Sequence, residues 1–294
     1  MSAADVIRTV GVIALAAFAS VLGAAPAARP LDDLRSRRIL EVCAHPNALP
    51  FASRKGTPRG VQIDLAEEVA RRLGLSLQVQ WVTVGFQYRA ADCDIVMDAI
   101  VDPGALQERH LRWSTPYQRS GVALALGPRL AGVDSFASLP EGTRIGVMVG
   151  SLAQTLLGRR GMRAIPFGFE DEMMAALAGG EIDAAAVTPI SAGWWNLRHP
   201  DRRVALVHAY DGEGELAWDL AVGMRRSDRF LRREIDRIVE AMITDGTLAR
   251  IYAAYGIEHR PPLSAGPQRI ERTKRIGEER CVRMGSAREC SVSE

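Results

Sequence analysis

The order of apolar segments constrains this chain more than any single motif does. RRILEVCAH (residues 37–45) has a compact apolar centre and breaks at Pro46 and Pro50, as a buried strand running into a loop would. In GVQIDLAEEVARRLG (60–74), Leu65, Ala66, Val69, Ala70 and Leu73 follow helical spacing, and Gly74 stands where a C-terminal cap belongs. LSLQVQWV (75–82) alternates like a strand, and CDIVMDAIV (93–101) is a continuous apolar run suited to a strand covered on both faces. Strand, helix, strand, strand describes an α/β lobe.

The same grammar restarts after Leu130. TRIGVMVG reads as a strand, SLAQTLLGRRG as a helix, AIPF as a strand, EDEMMAALAGG as a helix and EIDAAAVT as a strand. Two lobes are implied. The chain then returns through a strand, LAVGM, into SDRFLRREIDRIVEAMI, whose Leu231, Ile235, Ile238, Val239 and Met242 form an apolar stripe with Ser227 or Asp228 able to cap its start. A last helix, TLARIYAAYG, ends at Gly256, and Pro261 and Pro262 forbid its continuation.

A chain of 294 residues can bury one large core or two ordinary ones. With 37 basic and 35 acidic residues the formal charge is +2, which offers no polybasic footprint for nucleic acid or an anionic membrane. At the N-terminus, Arg8, an apolar run from Val10 to Leu22 and the small residues Ala25-Pro26-Ala27 read as a cleavable secretory signal over residues 1–27. The run is short for a membrane span. A retained N-terminal anchor is the alternative, because Asp5 cancels Arg8. Export places the mature chain in the periplasm, without a membrane span.

Four cysteines in an oxidising compartment favour disulfides. Cys281 and Cys290 are close in sequence, within a polar tail (261–294) free to meet disulfide geometry, so they are expected to pair. Cys43 and Cys93 are harder to join: if their strands are parallel neighbours, one lies toward a carboxyl end and the other at an amino end, which strains the roughly 7 Å Cα limit, and their connectivity stays open. No C-x-x-C and no Cys/His spacing points to a metal, haem or other cofactor.

The order of elements, with GVQIDLAEEVARRLG and WSTPY, resembles the family-3 periplasmic solute-binding proteins over about residues 38–257. That resemblance implies a two-lobed type-II periplasmic binding protein fold with a cleft between lobes. It places lobe one at 32–127 plus 220–260 and lobe two at 128–219. Finer phrases, LEVCAHPNALPFAS, CDIVMDAI, TPYQRSGVALAL and LAWDLAVGMRRSDRFLRREIDRIV closing on YAAYGI, are similar to the J-type branch associated with quinoprotein (methanol) dehydrogenases. This implies an accessory whose partner, a periplasmic alcohol dehydrogenase, carries the pyrroloquinoline quinone.

Ligands of open α/β sheets lie beyond the carboxyl ends of the strands. Candidate lining residues are therefore Asn47 and Phe51 after the first strand, Asp98 in the CDIVM strand, Gly150 and Ser151 at a helix start, and Thr188. Each has a plain structural alternative: a turn for Asn47, local burial for Phe51, an ordinary helix start for Gly150 and Ser151. Resemblance to amino-acid receptors calls for an acidic residue at Thr188 and an arginine soon after the CDIVM strand; here Arg109 arrives at a different spacing. Asp98 and Asp102 add negative charge that disfavours a carboxylate there. Trp194 and Trp195 do not share a helical face; one is placed at the cleft rim as a partner anchor and the other inward, with packing of both as the alternative.

Three classes of function are compatible with these residues: a dehydrogenase accessory acting by contact or small-molecule binding, a solute receptor feeding an ABC permease, and an enzyme on the same fold. The cleft loops offer only scattered titratable groups, such as His45 with Asp98, and no catalytic constellation. The reading is a binding protein, not an enzyme.

Overall fold

In the computed structural model the described residues are 30–83, 85–91, 93–101, 111–225 and 227–262, with two short paired segments, Arg283–Met284 and Ala287–Arg288. The expected signal segment (1–27), Arg109 and both Cys281 and Cys290 lie outside them.

The chain opens with α1 (Leu31–Arg37) and β1 (Ile39–Ala44), then a small hairpin of β2 (Asn47–Ala48) and β3 (Ala52–Ser53). α2 (Val61–Leu73) buries Leu65, Ala66, Val69 and Ala70. It stops where Gly74 adopts φ 72° and its N–H bonds Ala70 and Arg71 carbonyls, as the sequence predicts. β4 (Ser76–Trp81), α3 (Gly85–Ala90), β5 (Ile95–Val101), β6 (Leu111–Trp113) and β7 (Gln118–Gly121) follow.

The second run comprises β8 (Ala123–Leu126), β9 (Ile145–Met148), α4 (Leu152–Arg159), β10 (Ala164–Phe167), α5 (Glu170–Ala178), β11 (Ala184–Val187), α6 (Pro189–Arg198) and β12 (Ala205–Val207). The chain returns through β13 (Ala217–Arg225) into α7 (Arg229–Thr244) and α8 (Thr247–Ala253). Asp228 caps α7, accepting the Leu231 N–H at 2.7 Å. All five stripe residues of α7 are buried.

Two sheets result, and they share one plan. The first has the order β4-β1-β5-β13-β6, with β7 also on β13; the second is β10-β9-β11-β8-β12. In each, three parallel strands in the order second, first, third meet an antiparallel strand. The repeated grammar of the sequence is therefore a repeated lobe.

The crossing between sheets falls earlier than residue 127. β8 pairs with β11 and β12, so Ala123–Leu126 belongs to the second sheet, and β13 already joins the first at Ala217. Both connections pass side by side, with the Val122 N–H donating to the Leu216 carbonyl at 2.9 Å. A Cβ at Gly121 would sit 2.4 Å from the Leu216 oxygen and 2.5 Å from the Tyr210 ring, so only glycine admits this approach.

Cys43 and Cys93, whose pairing is left open by the sequence and looks difficult between parallel strands, form a disulfide with a Cα separation of 5.5 Å. The reason is local. β5 begins at Ile95, opposite Val42, and the chain before it does not continue the strand backward. It bends at Asp94, whose backbone N–H reaches the Glu41 carbonyl at 2.9 Å, and lays Cys93 over the face of β1 beside Val82 and Cys43.

Candidate functional site

The carboxyl ends of β1, β5, β9, β10 and β11 define the region where a ligand of this fold would sit. Several large apolar side chains there are exposed: Leu49, Ile100, Val149, Leu152 and Phe169. Exposed apolar side chains gathered at strand ends are candidates for the lip of an interaction surface.

The polar residues expected in the cleft mostly bond to their own lobe. Asp98 adopts φ 53°, at a bulge where two β5 residues face one on β13. Gly223 opposite has no room for a side chain, since a Cβ would lie 2.7 Å from Val96 and 2.9 Å from Ala99. The Asp98 carboxylate accepts hydrogen bonds from Tyr117 (2.8 Å) and Tyr252 (3.3 Å). Burial pushes this carboxyl upward, opposed by the bonds from Tyr117, Gln62 and Tyr252. His45 is engaged elsewhere, its Nδ1 accepting the Asn47 N–H at 3.1 Å. The structure does not join His45 to Asp98.

Asn47 is exposed in the β2–β3 hairpin, and Phe51 packs partly buried against the first lobe's core. At the start of α4 the Ser151 hydroxyl accepts the Gln154 N–H (3.1 Å), and the Gln154 side chain accepts the Gly150 N–H (2.8 Å). This reciprocal cap occupies donors that an anion would need. Thr188 follows β11 directly and precedes α6, and its hydroxyl shares a 2.9 Å hydrogen bond with Ser191. Sequence reading missed Glu170, which opens α5 at the carboxyl end of β10. Burial pushes its carboxyl upward, against a hydrogen bond from Ser191. Its position after a β10 strand end was the available signal.

Helix α6 lies between two cores. Ile190 and Trp194 pack with the first lobe, whereas Ala192 and Trp195 pack with the second. Trp194 meets Tyr255 at 5.7 Å between ring centroids, while Trp195 stacks on His199 at 3.8 Å and donates its indole N–H to the Arg202 carbonyl at 2.9 Å. Trp195 is 5% exposed and turned inward, and Trp194 is half-buried at the lobe boundary. Beside α6 is a cavity of about 360 Å³, walled by Leu49 and Pro50 of the first lobe and by Glu170, Met174, Trp194 and Arg198 of the second.

The model of the bacterial extracellular solute-binding proteins, family 3, matches residues 40–258. The chain belongs to this family. Its fold is accordingly the two-lobed periplasmic binding protein fold. Among solved structures, an ancestral cationic amino acid solute-binding protein superposes with a TM-score of 0.65 at 21% identity, covering 77% of this chain and 99% of that one. The periplasmic binding protein XoxJ from Methylobacterium extorquens AM1 gives 0.59 at 22%, covering 75% and 99%. A polar amino acid ABC uptake transporter substrate-binding protein from Streptococcus thermophilus gives 0.62 at 17%, covering 78% and 90%. These likenesses show the fold. A curated relative, membrane-bound lytic murein transglycosylase F of Desulfosudis oleivorans, is 26% identical over 235 residues; the match covers 76% of this chain and half the length of that relative. No described helix of this family-3 chain is long and apolar enough to cross a membrane.

Proposed function

We propose that this family-3 protein is a periplasmic accessory of a quinoprotein alcohol dehydrogenase system, acting by contact with the dehydrogenase and not by catalysis of its own. The observation that carries the reading is the state of the cleft's polar groups. Thr188 stands where the amino-acid receptors it resembles call for an acidic residue, and its hydroxyl is engaged by Ser191. Asp98 is turned into its own lobe by Tyr117 and Tyr252. An amino acid's ammonium group therefore meets no carboxylate at Thr188, and at Asp98 meets one already engaged by two tyrosine hydroxyls. The phrases shared with the J-type branch, in β1, β5 and the β13–α7 turn, supply the positive side, and the XoxJ likeness is consistent with them.

The pyrroloquinoline quinone belongs to the dehydrogenase in this reading. Contact falls to the exposed apolar lip, with Phe169 and Val149 as its most exposed members, since desolvated apolar anchors supply much of the energy of a protein interface. Trp194 and Trp195 act from beneath, by fixing α6 between the lobes.

A second reading, a receptor delivering a small solute to an ABC permease, is favoured by the same lip if it is the mouth of a ligand cleft, and by the likeness to the uptake protein of Streptococcus thermophilus. One pair of measurements separates the two. The immobilised protein is expected to retain a quinoprotein alcohol dehydrogenase, with Phe169→Ala weakening retention. The common amino acids are expected to leave its melting temperature unchanged, whereas a true ligand at a hundred times its dissociation constant adds about 2.7 kcal/mol of stability. A shift of several degrees with an amino acid, and no retained dehydrogenase, sinks the accessory reading.

A further inference from the structure

Two arginines that line the cavity beside α6 are set near indole rings and meet no carboxylate among the described residues. The guanidinium of Arg198 lies 5.3 Å from the Trp194 ring, and that of Arg202 lies 6.0 Å from the Trp195 ring. Elsewhere in the same lobe, arginines meet carboxylates: Arg144 and Arg129 on Asp183, and Arg160 on Glu213 and Glu215. Arg198 and Arg202 form no ion pair among the described residues. Both line the cavity, together with His199.

A guanidinium within about 6 Å of an indole is attracted to the ring face, and its free N–H groups can still meet a carboxylate in a forked pair. Helical side chains lean toward the N-terminus, so Arg198 reaches back over Trp194, one turn earlier, toward the cavity. The remaining wall combines the apolar Leu49, Pro50, Met174 and Ala175 with the polar Glu170, Asp171 and Ser191. Asp171 is exposed, on the rim. Glu170 resists ionisation through burial, which reduces its repulsion of an anion.

We infer that this cavity is a binding site for a small organic carboxylate, whose carboxylate is held by Arg198 and Arg202 and whose carbon skeleton lies against Trp194, Met174 and Leu49. Asp98, Ser151 and Thr188 do not line it, and Ser191, which does, hydrogen-bonds Thr188. Because Leu49 and Pro50 come from one lobe and α5 and α6 from the other, occupancy bridges the lobes. The inference is independent of any dehydrogenase contact.

Calorimetric titration of the purified chain alone with acetate, pyruvate, benzoate and 4-hydroxybenzoate tests it, with benzamide and 4-hydroxybenzamide as uncharged twins. At least one carboxylate is expected to bind at a single site with a dissociation constant below about 1 mM. Its amide twin, or for the aliphatic acids acetamide or pyruvamide, is expected to bind at least about tenfold more weakly, and so is the carboxylate to Arg198→Gln and to Arg202→Gln. Both arginines are exposed, so a melting curve matching the parent's will show that these variants are folded. Absence of binding by every carboxylate, equal binding by the amide, or unchanged binding in both arginine variants overturns the proposal.

Discussion

Gly193 of α6 and Gly256, just beyond α8, approach so closely that a Cβ on the first would stand 2.5 Å from the carbonyl oxygen of the second, and a Cβ on the second 2.4 Å from that of the first. Two backbones meet there without side chains between them, and this contact seats α6 against the first lobe. Gly193→Ala is therefore expected to destabilise the protein by about 1–3 kcal/mol through overpacking, read as a lowered urea midpoint. An unchanged midpoint means that the lobes do not press together at this point. Gly256 also holds φ 80°, so Gly256→Ala is expected to cost more than its partner.

The Cys43–Cys93 bridge closes a sequence separation of 50 residues. A loop of that length is worth about 4 kcal/mol in restricted unfolded-chain entropy. Replacing both cysteines by serine is expected to lower stability by about 2–4 kcal/mol, since engineered and native cases commonly deliver less than the loop model. Peptide mapping without reduction should recover the two cysteines in one linked fragment. Recovery of both as free thiols from oxidised protein refutes the pairing.

Which parts of this architecture were legible in the sequence follows from the kind of signal each part leaves. α2 and α7 bury one face and leave the other in solvent, so Leu65 with Val69, and Leu231 with Ile235, declare the helical period. β6, β7 and β12 are too short to show any period. The Cys43–Cys93 pairing depends on a bend at Asp94 that interrupts an apolar run reading as one strand. At the site, the alternation of Trp194 and Trp195 between faces was visible from helix geometry, but not that both faces are covered by protein. Glu170 and Arg198 become neighbours of one cavity only when α5 and α6 pack side by side, and no local pattern announces that.

The bulge at Asp98 gives a test of backbone against side-chain chemistry. Its left-handed conformation is tolerated by aspartate and asparagine and is hostile to β-branched residues. Asp98→Asn retains an acceptor for Tyr117 and relieves a carboxylate that burial makes reluctant to ionise, so a stability change within about 1 kcal/mol is expected. Asp98→Val loses the acceptor and strains the backbone, for an expected loss of about 3 kcal/mol or more. Equal behaviour of the two variants in a denaturant titration would dismiss the bulge as a determinant.

Acid sensitivity should trace to Asp183 more than to any other carboxylate of the second lobe. Its carboxyl is held well below the usual range, first by hydrogen bonds from the Arg144 side chain at 2.9 Å, with burial opposing and the Arg144 backbone N–H and Arg129 adding to the effect. A carboxylate with a depressed folded pKa binds fewer protons folded than unfolded in the acid range, so its contribution is complete above its unfolded value, near 4, and disappears as pH falls through the folded value. Glu68, lowered to about 2 by Arg71 and Arg72, follows the same sign in the first lobe. Unfolding free energy is thus expected to decline from about pH 4 downward, and Asp183→Asn should flatten that decline while lowering stability at pH 7. Because Asp183 also accepts the Arg144 backbone N–H at 3.0 Å, the asparagine variant keeps one bond and isolates the charge. A pH profile of Asp183→Asn parallel to the parent's between pH 4 and 2 would place the acid-labile group elsewhere.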